Sequence, residues 1–365
     1  MRLLFFGFAV LIVQETTTTS PRAPLAVGSN ASMSLLIIQI PCFNEETTLP
    51  ATLADLPREV PGVDRVEWLI INDGSSDRTV EVAKAHGVHH CVSFPANRGL
   101  AAAFRAGIDA CLKLGADYIV NTDGDNQYDG GTIAALAEPV ISGRADVVIG
   151  DRRPGEIAHF SIVKRKLQNL GSWVVRRFSG TSVPDATSGF RCWSREAALR
   201  MNLTNQYTYT LESIIQQGHS GLTIESVFVP TNDKTRESRL MSSIRSYVQR
   251  SATVILRSYL LYRPFRTFMT LGLTSLLAGS AIGGRFIWFY MQGDGGGKIQ
   301  SLILAAALLI IGVQLGIMAM VSDLVSANRK LAEETLVRVR RLEANTQLGE
   351  GDWPVTSLNP RNPSS

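Results

Sequence analysis

Two long apolar stretches near the C-terminus limit the possible folds of this chain more than any other feature. "FMTLGLTSLLAGSAIGG" runs from Phe268 to Gly284, and "IQSLILAAALLIIGVQLGIMAMV" runs from Ile299 to Val321. Each is close to the roughly 20 residues that a helix needs to cross a bilayer. A segment surrounded by lipid must satisfy its own backbone hydrogen bonds, which favours helices. We therefore predict a transmembrane hairpin over residues 267–325, with helices at about 267–290 and 299–322; the alternative is two buried core helices of a soluble domain.

Basic residues flank this apolar pair on its outer sides. Arg257, Arg263 and Arg266 precede the first stretch, whereas the connecting loop carries Lys298 alone. By the positive-inside rule, both outer flanks and the large N-terminal region should face the cytoplasm. Arg285 lies near the far end of its span beside aromatic residues, so we expect it to snorkel to the headgroups. The basic residues that follow the second stretch are Arg329, Lys330, Arg338, Arg340 and Arg341.

The N-terminal residues conflict with this orientation. "MRLLFFGFAVLIV" resembles the apolar core of a signal peptide and is too short to span a bilayer. A cleaved signal would export the region that the charge rule places inside. Met33 stands directly before the first strand-like run. We therefore expect residues 1–33 to be a disordered leader or a start assigned too early.

Overall composition excludes several classes of protein. The 365 residues carry a net charge of +4, which is less than a dedicated nucleic-acid binder would show. The four cysteines are isolated, without Cys-x-x-Cys spacing. This argues against a zinc site and a disulfide framework, and it suits a reducing compartment.

Short apolar runs alternate with helix-like segments between Ser34 and about Gly155. Such alternation predicts βαβ units, an α/β class and a mostly parallel sheet. We also predict helices for "NEETTLPATLADL", "TVEVAKAHG" and "GLAAAFRAGIDACLKLG". The strand-like runs are "LLIIQI", "VEWLIIND", "HHCVSFP", "DYIVNTDGD" and "DVVIGDR".

Polar residues follow four successive strands of this predicted sheet. In such sheets ligands bind beyond the carboxyl ends of the strands. The chain has no dinucleotide-binding Gly-x-Gly-x-x-Gly after its first strand, no P-loop and no Gly-x-Ser-x-Gly elbow. The histidines of "AHGVHH" could form a metal site or a solvated turn, and a solvated turn fits the pattern better. The strand-end segments are Pro41–Glu45, Asp73–Asp77, Asn97–Gly99 and Asp123–Gln127.

The last of these segments, "TDGDNQYDGG", places carboxylates close together at the end of a buried strand. Neighbouring carboxylates repel unless a cation or a shared proton separates them. Mg²⁺ or Mn²⁺ binds one or two carboxylates and completes its shell with water and phosphate oxygens. Asp125 with Gln127, flanked by Asp123, matches that requirement. The segment therefore predicts a diphosphate held by a divalent metal.

A set of motifs in this order resembles family 2 glycosyltransferases, most closely the polyprenyl-phosphate branch that includes dolichol-phosphate mannose synthases. The resemblance covers roughly residues 34–260. It implies a GT-A domain over 34–239, a UDP- or GDP-linked sugar donor, Mg²⁺ or Mn²⁺, and inversion at the anomeric carbon. The acceptor would be undecaprenyl or dolichyl phosphate, and the hairpin matches bacterial members, so we expect a bacterial inner membrane. The motifs are "IPCFNEE", "IINDGSSDRT", "NRGLAAAFRAG", "TDGDNQYDGG", "DATSGFRCWSREA" and "NDKTRESRL".

The resemblance also implies roles for individual residues on the donor side. Asp73 matches the acid that holds the base or ribose, although Asp73–Gly74 could also be a plain turn. Asp125 and Gln127 match the metal ligands. The remaining donor-binding matches are Pro41, Asn44, Glu45, Asn97, Arg98, Gly99 and Asp123.

On the acceptor side the implied catalytic residues are Asp185, Arg191 and Glu212. Arg191 could instead form a surface ion pair, and Glu212 lacks the Glu-Asp pair usual at its position. A phosphate acceptor is already anionic, so a general base at Asp185 is a weaker expectation than a metal ligand at Asp125. The resemblance assigns the acceptor phosphate to Arg236, Ser238 and Arg239, where guanidinium groups suit phosphate oxygens.

Two basic amphipathic segments suit the surface of an anionic membrane. The first starts at Ser161 and could also pack in the core; the second precedes the hairpin as a juxtamembrane helix over 240–266. The tail over 326–365 should be cytoplasmic, helical in "KLAEETLVRVRRLEA" and then disordered. A homo-oligomer is left open. The rival functions are transfer to another lipid or polysaccharide acceptor and a non-catalytic membrane scaffold, but the Gln-x-x-Arg-Trp motif of processive synthases is missing.

Overall fold

A computed structural model describes residues 33–153, 171–176, 179–203, 209–232, 263–293, 299–346 and 354–358, with single positions at 249, 253 and 257. The expected N-terminal leader lies outside these residues. So do most of both amphipathic segments and the three residues assigned to the acceptor phosphate, Arg236, Ser238 and Arg239.

The catalytic region is an α/β domain built on one eight-stranded sheet, as the alternating pattern predicts. The strands are β1 (Leu35–Cys42), β2 (Arg65–Asn72), β3 (His90–Ser93), β4 (Tyr118–Asn121), β5 (Val147–Asp151), β6 (Arg191–Ser194), β7 (Ile224–Phe228) and β8 (Val355–Ser357). The helices are α1 (Leu49–Asp55), α2 (Thr79–Ala85), α3 (Leu100–Lys113), α4 (Ile133–Ile141), α5 (Arg195–Leu199), α6 (Thr210–His219), α7 (Pro264–Met291) and α8 (Ile299–Thr346).

Strand order explains where the polar loops meet. The sheet runs β7-β5-β6-β4-β1-β2-β3-β8. β1 pairs in parallel with β2 and β4, and β2 pairs in parallel with β3. β6 is inserted antiparallel between β4 and β5. The carboxyl ends of β1 to β5 and the first residue of β6 therefore lie at the same edge of the sheet.

Apolar side chains cover both faces of the sheet, as expected for buried parallel strands. Alternate residues of β1 point to opposite faces: Ile37 packs with Phe104 and Trp193, whereas Ile38 packs with Trp68. Phe104 stacks on Tyr209 with ring centroids 3.7 Å apart. Helices α3, α5 and α6 supply apolar residues to the first of these layers, and α1, α2 and α4 supply them to the second.

The predicted helix over "NEETTLPATLADL" is shorter than expected. It begins at Leu49, because Asn44 has a left-handed backbone (φ 53°) and the next residues form a turn instead. The predicted strand "DYIVNTDGD" likewise ends at Asn121. In both places the backbone leaves regular structure where the polar motif begins.

The two apolar stretches form helices α7 and α8, both long and apolar enough to cross a membrane. Only 11% and 17% of their most apolar windows lie buried, which disfavours the alternative of soluble core helices. Small residues bring the helices close: a Cβ added to Gly272 would lie 3.0 Å from the carbonyl oxygen of Gly312. Ser275 Oγ also donates a hydrogen bond to the carbonyl oxygen of Leu308 (2.8 Å).

The C-terminal tail is more ordered than its composition suggests. α8 continues without a break to Thr346, which includes the predicted helix "KLAEETLVRVRRLEA". The expectation of disorder beyond it is wrong for residues 355–357, because they pair antiparallel with β3 as strand β8. The free edge of β3 provides backbone partners that composition alone does not reveal.

Candidate active site

The loops after β1 and β2 are joined by reciprocal hydrogen bonds. The N–H of Asn44 donates to Ser75 Oγ (3.0 Å), and the N–H of Ser76 donates to Asn44 Oδ1 (2.8 Å). The N–H of Glu45 donates to Thr79 Oγ1 (2.9 Å), so the start of α2 is fixed to the same turn. Pro41, the remaining residue expected in this loop, is the penultimate residue of β1. The left-handed backbone of Asn44 makes this arrangement possible, and asparagine tolerates it better than most residues.

Asp73 organises the loop that follows β3. Its carboxylate accepts hydrogen bonds from Asn97 Nδ2 (3.1 Å) and from the backbone N–H groups of Arg98 (2.7 Å) and Gly99 (2.9 Å). Burial raises the pKa of Asp73, and the two backbone N–H groups oppose that rise because they stabilise the charged form. Asp73–Gly74 is therefore more than a plain turn: a Cβ added to Gly74 would lie 2.5 Å from the carbonyl carbon of Ala96.

The Asp-x-Asp segment lies against the first loop and is held by a distant segment. A Cβ added to Gly124 would lie 3.2 Å from Cys42 Sγ. Asn232 donates its backbone N–H to the carbonyl oxygen of Gln127 (3.0 Å) and its side-chain amide to that of Asn126 (3.1 Å). Sequence reasoning assigned no role to Asn232, although it opens the motif "NDKTRESRL".

Asp123 lies beside Gly189, the glycine of the segment "DATSGFR". A Cβ added to Gly189 would lie 3.3 Å from Asp123 Oδ2 and 3.0 Å from the hydroxyl of Tyr209. Asn121 Nδ2 donates to the carbonyl oxygen of Gly189 (2.9 Å), while the N–H of Gly189 donates to the Tyr128 hydroxyl (3.0 Å). The glycine therefore allows the backbone to approach the carboxylate closely. Both tyrosines were missed from sequence because neither belongs to a charged motif.

Arg152 is the residue of the site whose absence from the sequence-based assignments matters most. It follows β5, and its Nε and Nη2 donate to the two carboxylate oxygens of Asp185 at 2.7 and 3.1 Å. Nη2 also donates to Thr187 Oγ1 (2.9 Å). Burial alone would raise the pKa of Asp185, but Arg152 and Thr187 outweigh it and hold that pKa below its ordinary value. The signal was present in "DVVIGDR", since an arginine follows a fifth strand at the same edge.

Arg191 lies in the protein interior, which differs from the expectation of a group facing the acceptor or a surface ion pair. Its side chain is fully buried. The guanidinium donates to the carbonyl oxygens of Ser188 (2.8 Å), Ala186 (3.1 Å) and Thr210 (3.0 Å), and to Ser213 Oγ (2.8 Å). Burial lowers the pKa of Arg191 to about 10, so the group remains charged near neutral pH. Arg191 therefore joins the loop before β6 to the start of α6.

Glu212 also lies inside the domain, in the first turn of α6. It is 5% exposed and sits between Thr210 and Ser213, both of which accept hydrogen bonds from Arg191. The structure thus brings the start of α6, Arg191 and the loop after Asp185 together. The catalytic role of Glu212 stays a prediction.

The loop between Asp125 and Gln127 fits a divalent ion that is shared with a diphosphate. Among the described residues, no three His, Cys, Asp or Glu side chains gather as a complete protein metal site. A Mg²⁺ or Mn²⁺ ion bound through a nucleotide needs only one or two protein ligands. Asn126 has a left-handed backbone (φ 54°), and its Oδ1 is buried without a hydrogen-bond partner in the described part of the chain. An unsatisfied oxygen next to Asp125 and Gln127 is consistent with a polar ligand at this loop.

Comparisons with known proteins agree with this geometry. The family model "Glycosyl transferase family 2" matches residues 37–203. Glycosyltransferase AglJ of Haloferax volcanii is 26% identical over 84% of this chain and 97% of its own length. The dolichyl-phosphate hexose transferase of the same organism is 28% identical over 56% of this chain and 86% of its own.

A solved structure supports the fold. Glucosyl-3-phosphoglycerate synthase of Mycobacterium tuberculosis, crystallised with Mn²⁺, UDP and phosphoglyceric acid, superposes with a TM-score of 0.50 at 18% identity. The match covers 63% of this chain and 79% of that one. The strand-end loops, the Asp-x-Asp segment and the family match together establish that this chain is a glycosyltransferase of family 2, with a GT-A fold.

Proposed function

We propose that this enzyme transfers a sugar, with inversion, from a nucleotide sugar to the phosphate of a membrane polyprenol. One observation carries the proposal: a GT-A site and two helices long enough to cross a membrane occur in the same compact chain. A water-soluble acceptor would not require such helices. The dolichyl-phosphate hexose transferase among the relatives supports the same acceptor class.

The donor would occupy the edge formed by the loops after β1 to β4. Asp73 and the loop at Asn97–Gly99 would enclose the nucleoside, which is a uridine or guanosine diphosphate in this proposal. UDP and Mn²⁺ in the solved glucosyltransferase structure support a diphosphate donor with a divalent ion. Asp125 and Gln127 would hold that ion, which would neutralise charge on the leaving diphosphate.

The reaction requires little proton transfer from the protein. An anionic oxygen of the acceptor phosphate attacks the anomeric carbon, the bond from that carbon to the donor phosphate breaks, and the nucleoside diphosphate leaves from the opposite face. The protein must mainly align the two substrates and stabilise charge. Asp185 is poorly suited to act as a base because Arg152 neutralises it in a two-point ion pair.

The same geometry suggests positioning roles for two residues expected to be catalytic. Asp185 would orient Arg152 at the carboxyl edge of the sheet, and Arg191 would hold the loop that carries Asp185 and Gly189. Glu212 would support the same region from α6. The acceptor phosphate would be bound by Arg236, Ser238 and Arg239, and the catalytic domain would face the cytoplasm of a bacterial cell.

The proposal can be tested with membranes that contain the enzyme. Labelled UDP- and GDP-sugars are added separately, with and without EDTA, and lipids are extracted. We expect one nucleotide sugar to label a polyprenyl-phosphate sugar, with the label lost in EDTA. Label in a polymer or in a water-soluble product would indicate another acceptor, and intact protein without any transfer would favour a scaffold.

A further inference from the structure

Helix α8 is far longer than a membrane span requires. Its 48 residues extend about 72 Å at roughly 1.5 Å per residue. A bilayer crossing needs roughly 20 of them. Charged residues begin at Asp323, and Arg340 lies about 25 Å further along the same helix by the same rise. The second half of α8 therefore projects well beyond the apolar part.

This second half is attached to the catalytic domain near its end. Arg340 Nη1 donates to the carbonyl oxygens of Leu199 and Met201, at the C-terminal end of α5. These carbonyls have no partner within their own helix, and a cation is favourable there. Arg340 also lies 3.4 Å from the carboxylate of Asp109 on α3. Arg341 forms an ion pair with Glu196 at 2.6 Å.

Apolar packing adds to these polar contacts. Val337, one turn before Arg340, packs against the core cluster that contains Phe104 and Trp193. The contact thus reaches the layer that underlies the sheet and does not consist of surface charges alone. Exposed ion pairs by themselves contribute little, about 0–1 kcal/mol each, so the combined attachment matters more than any single pair.

A second attachment follows at the edge of the sheet. Strand β8 pairs with β3 through Val355, Thr356 and Ser357. The N–H of Leu358 donates to the carbonyl oxygen of His89 (2.9 Å). Two separate attachments, one at α3 and α5 and one at β3, restrict rotation of the catalytic domain about the axis of α8.

We propose that the second half of α8, together with β8, is a fixed strut that sets the height and orientation of the active site above the membrane, with Arg340 and Arg341 as positioning residues. This inference rests on the proposed function, since a fixed height matters when the acceptor phosphate lies at a membrane surface. A polyprenyl phosphate cannot leave the bilayer easily, so the site must be presented to it. Holding both reactants in place reduces the entropy cost of their encounter.

The kinetic test compares two acceptors. The test variant combines Arg340→Gln with Arg341→Gln. The control combines Lys330→Gln with Arg338→Gln, which removes the same charge at exposed positions where the described structure shows no contact with the catalytic domain. We expect kcat/KM for a long-chain polyprenyl phosphate in vesicles to fall about tenfold in the test variant alone. Transfer to a short, water-soluble isoprenyl phosphate should be unchanged in both.

Equal losses with both acceptors, or no loss with the embedded one, would overturn the strut. Because two exposed arginines could be too weak to show an effect, a second variant lacks residues 347–365 and carries the same two substitutions. It should lower transfer to the embedded acceptor further. A wild-type enzyme that uses neither isoprenyl phosphate would instead refute the proposed function.

A distance measurement tests the strut without any transfer assay. Spin labels are placed at Glu59→Cys and Asn328→Cys, both exposed positions, in the full-length protein in vesicles. The four native cysteines are buried and should react little. We expect one narrow distance distribution in the parent and in the control, and a broad one in the truncated double variant. A broad distribution in the parent would exclude a fixed strut.

Discussion

Arg152 and Asp185 form a two-point ion pair at the carboxyl edge of the sheet, with Nε 2.7 Å from Oδ2 and Nη2 3.1 Å from Oδ1. The Arg152 side chain is 9% exposed and that of Asp185 is 1% exposed. Removing one partner of a buried pair leaves a charge without compensation and costs roughly 3–5 kcal/mol. We therefore expect Asp185→Asn to lower the free energy of unfolding by about that amount, measured by denaturant titration in detergent.

An apolar replacement of both partners separates stability from function. Arg152→Met with Asp185→Leu should recover much of the stability, because no buried charge remains. Sugar transfer should stay at background if Arg152 acts at the site. Recovery of both stability and transfer would mean that the pair is purely structural.

The metal assignment predicts a selective loss in Asp125→Asn. The substitution removes a ligand charge but almost no volume, so transfer should be abolished while the thermal unfolding temperature stays near that of wild type. Asp129→Asn is a matched control in the same loop. Asp129 caps the short helix at Gly130–Thr132 through the N–H of Gly131 (2.9 Å), and asparagine can also cap. Near-native turnover of Asp125→Asn in Mg²⁺ would refute the ligand assignment.

Glu67 predicts a pH-dependent contribution to stability. It accepts a hydrogen bond from His90 Nε2 (2.8 Å) and pairs with Arg65. The His90 contact lowers the pKa of Glu67 to about 2, burial opposes this, and Arg65 adds to the lowering. A lowered carboxyl pKa stabilises the fold above the unfolded-state pKa of about 4.3 and loses that effect as the pH falls toward 2. The difference in unfolding free energy between wild type and Glu67→Gln should therefore shrink between about pH 4.5 and pH 2; a constant difference would contradict it.

The acceptor assignment predicts a change in lipid dependence. If Arg236 and Arg239 bind the lipid phosphate, replacing both with Gln should raise the apparent KM for polyprenyl phosphate, and nucleotide binding should change little. Each charge-assisted contact contributes about 1.5–3 kcal/mol, so kcat/KM should fall about a hundredfold or more. Lysine should rescue only in part because it loses the bidentate geometry. Weakened nucleotide binding with unchanged lipid dependence would move these arginines to the donor.

The membrane topology can be measured by cysteine labelling. A cysteine introduced at residue 296 should react from the non-cytoplasmic side, and one at residue 349 from the cytoplasmic side. The native cysteines should give a low background because all four are buried. Reaction of both introduced sites from the same side would exclude the hairpin.

The sequence by itself determined the elements that depend on neighbouring residues. The apolar run of β1, the helix α3 and the length of α7 and α8 follow from local hydrophobic pattern, which sets burial and period. Asp73 and Asp125 could be placed at the site because every parallel strand ends at the same edge. The family motifs then indicated the chemistry.

Tertiary structure decided which side chains meet. Arg152 finds Asp185 across 33 residues, and Asn232 finds Asn126 across 106. Arg191 looked like a surface or substrate-binding group, yet the antiparallel insertion of β6 buries it beneath the start of α6. Strand β8 exists because β3 has an open edge, not because residues 355–357 have a strong pattern. Such pairings depend on long-range packing and on unsatisfied backbone groups, which a local reading of the chain does not contain.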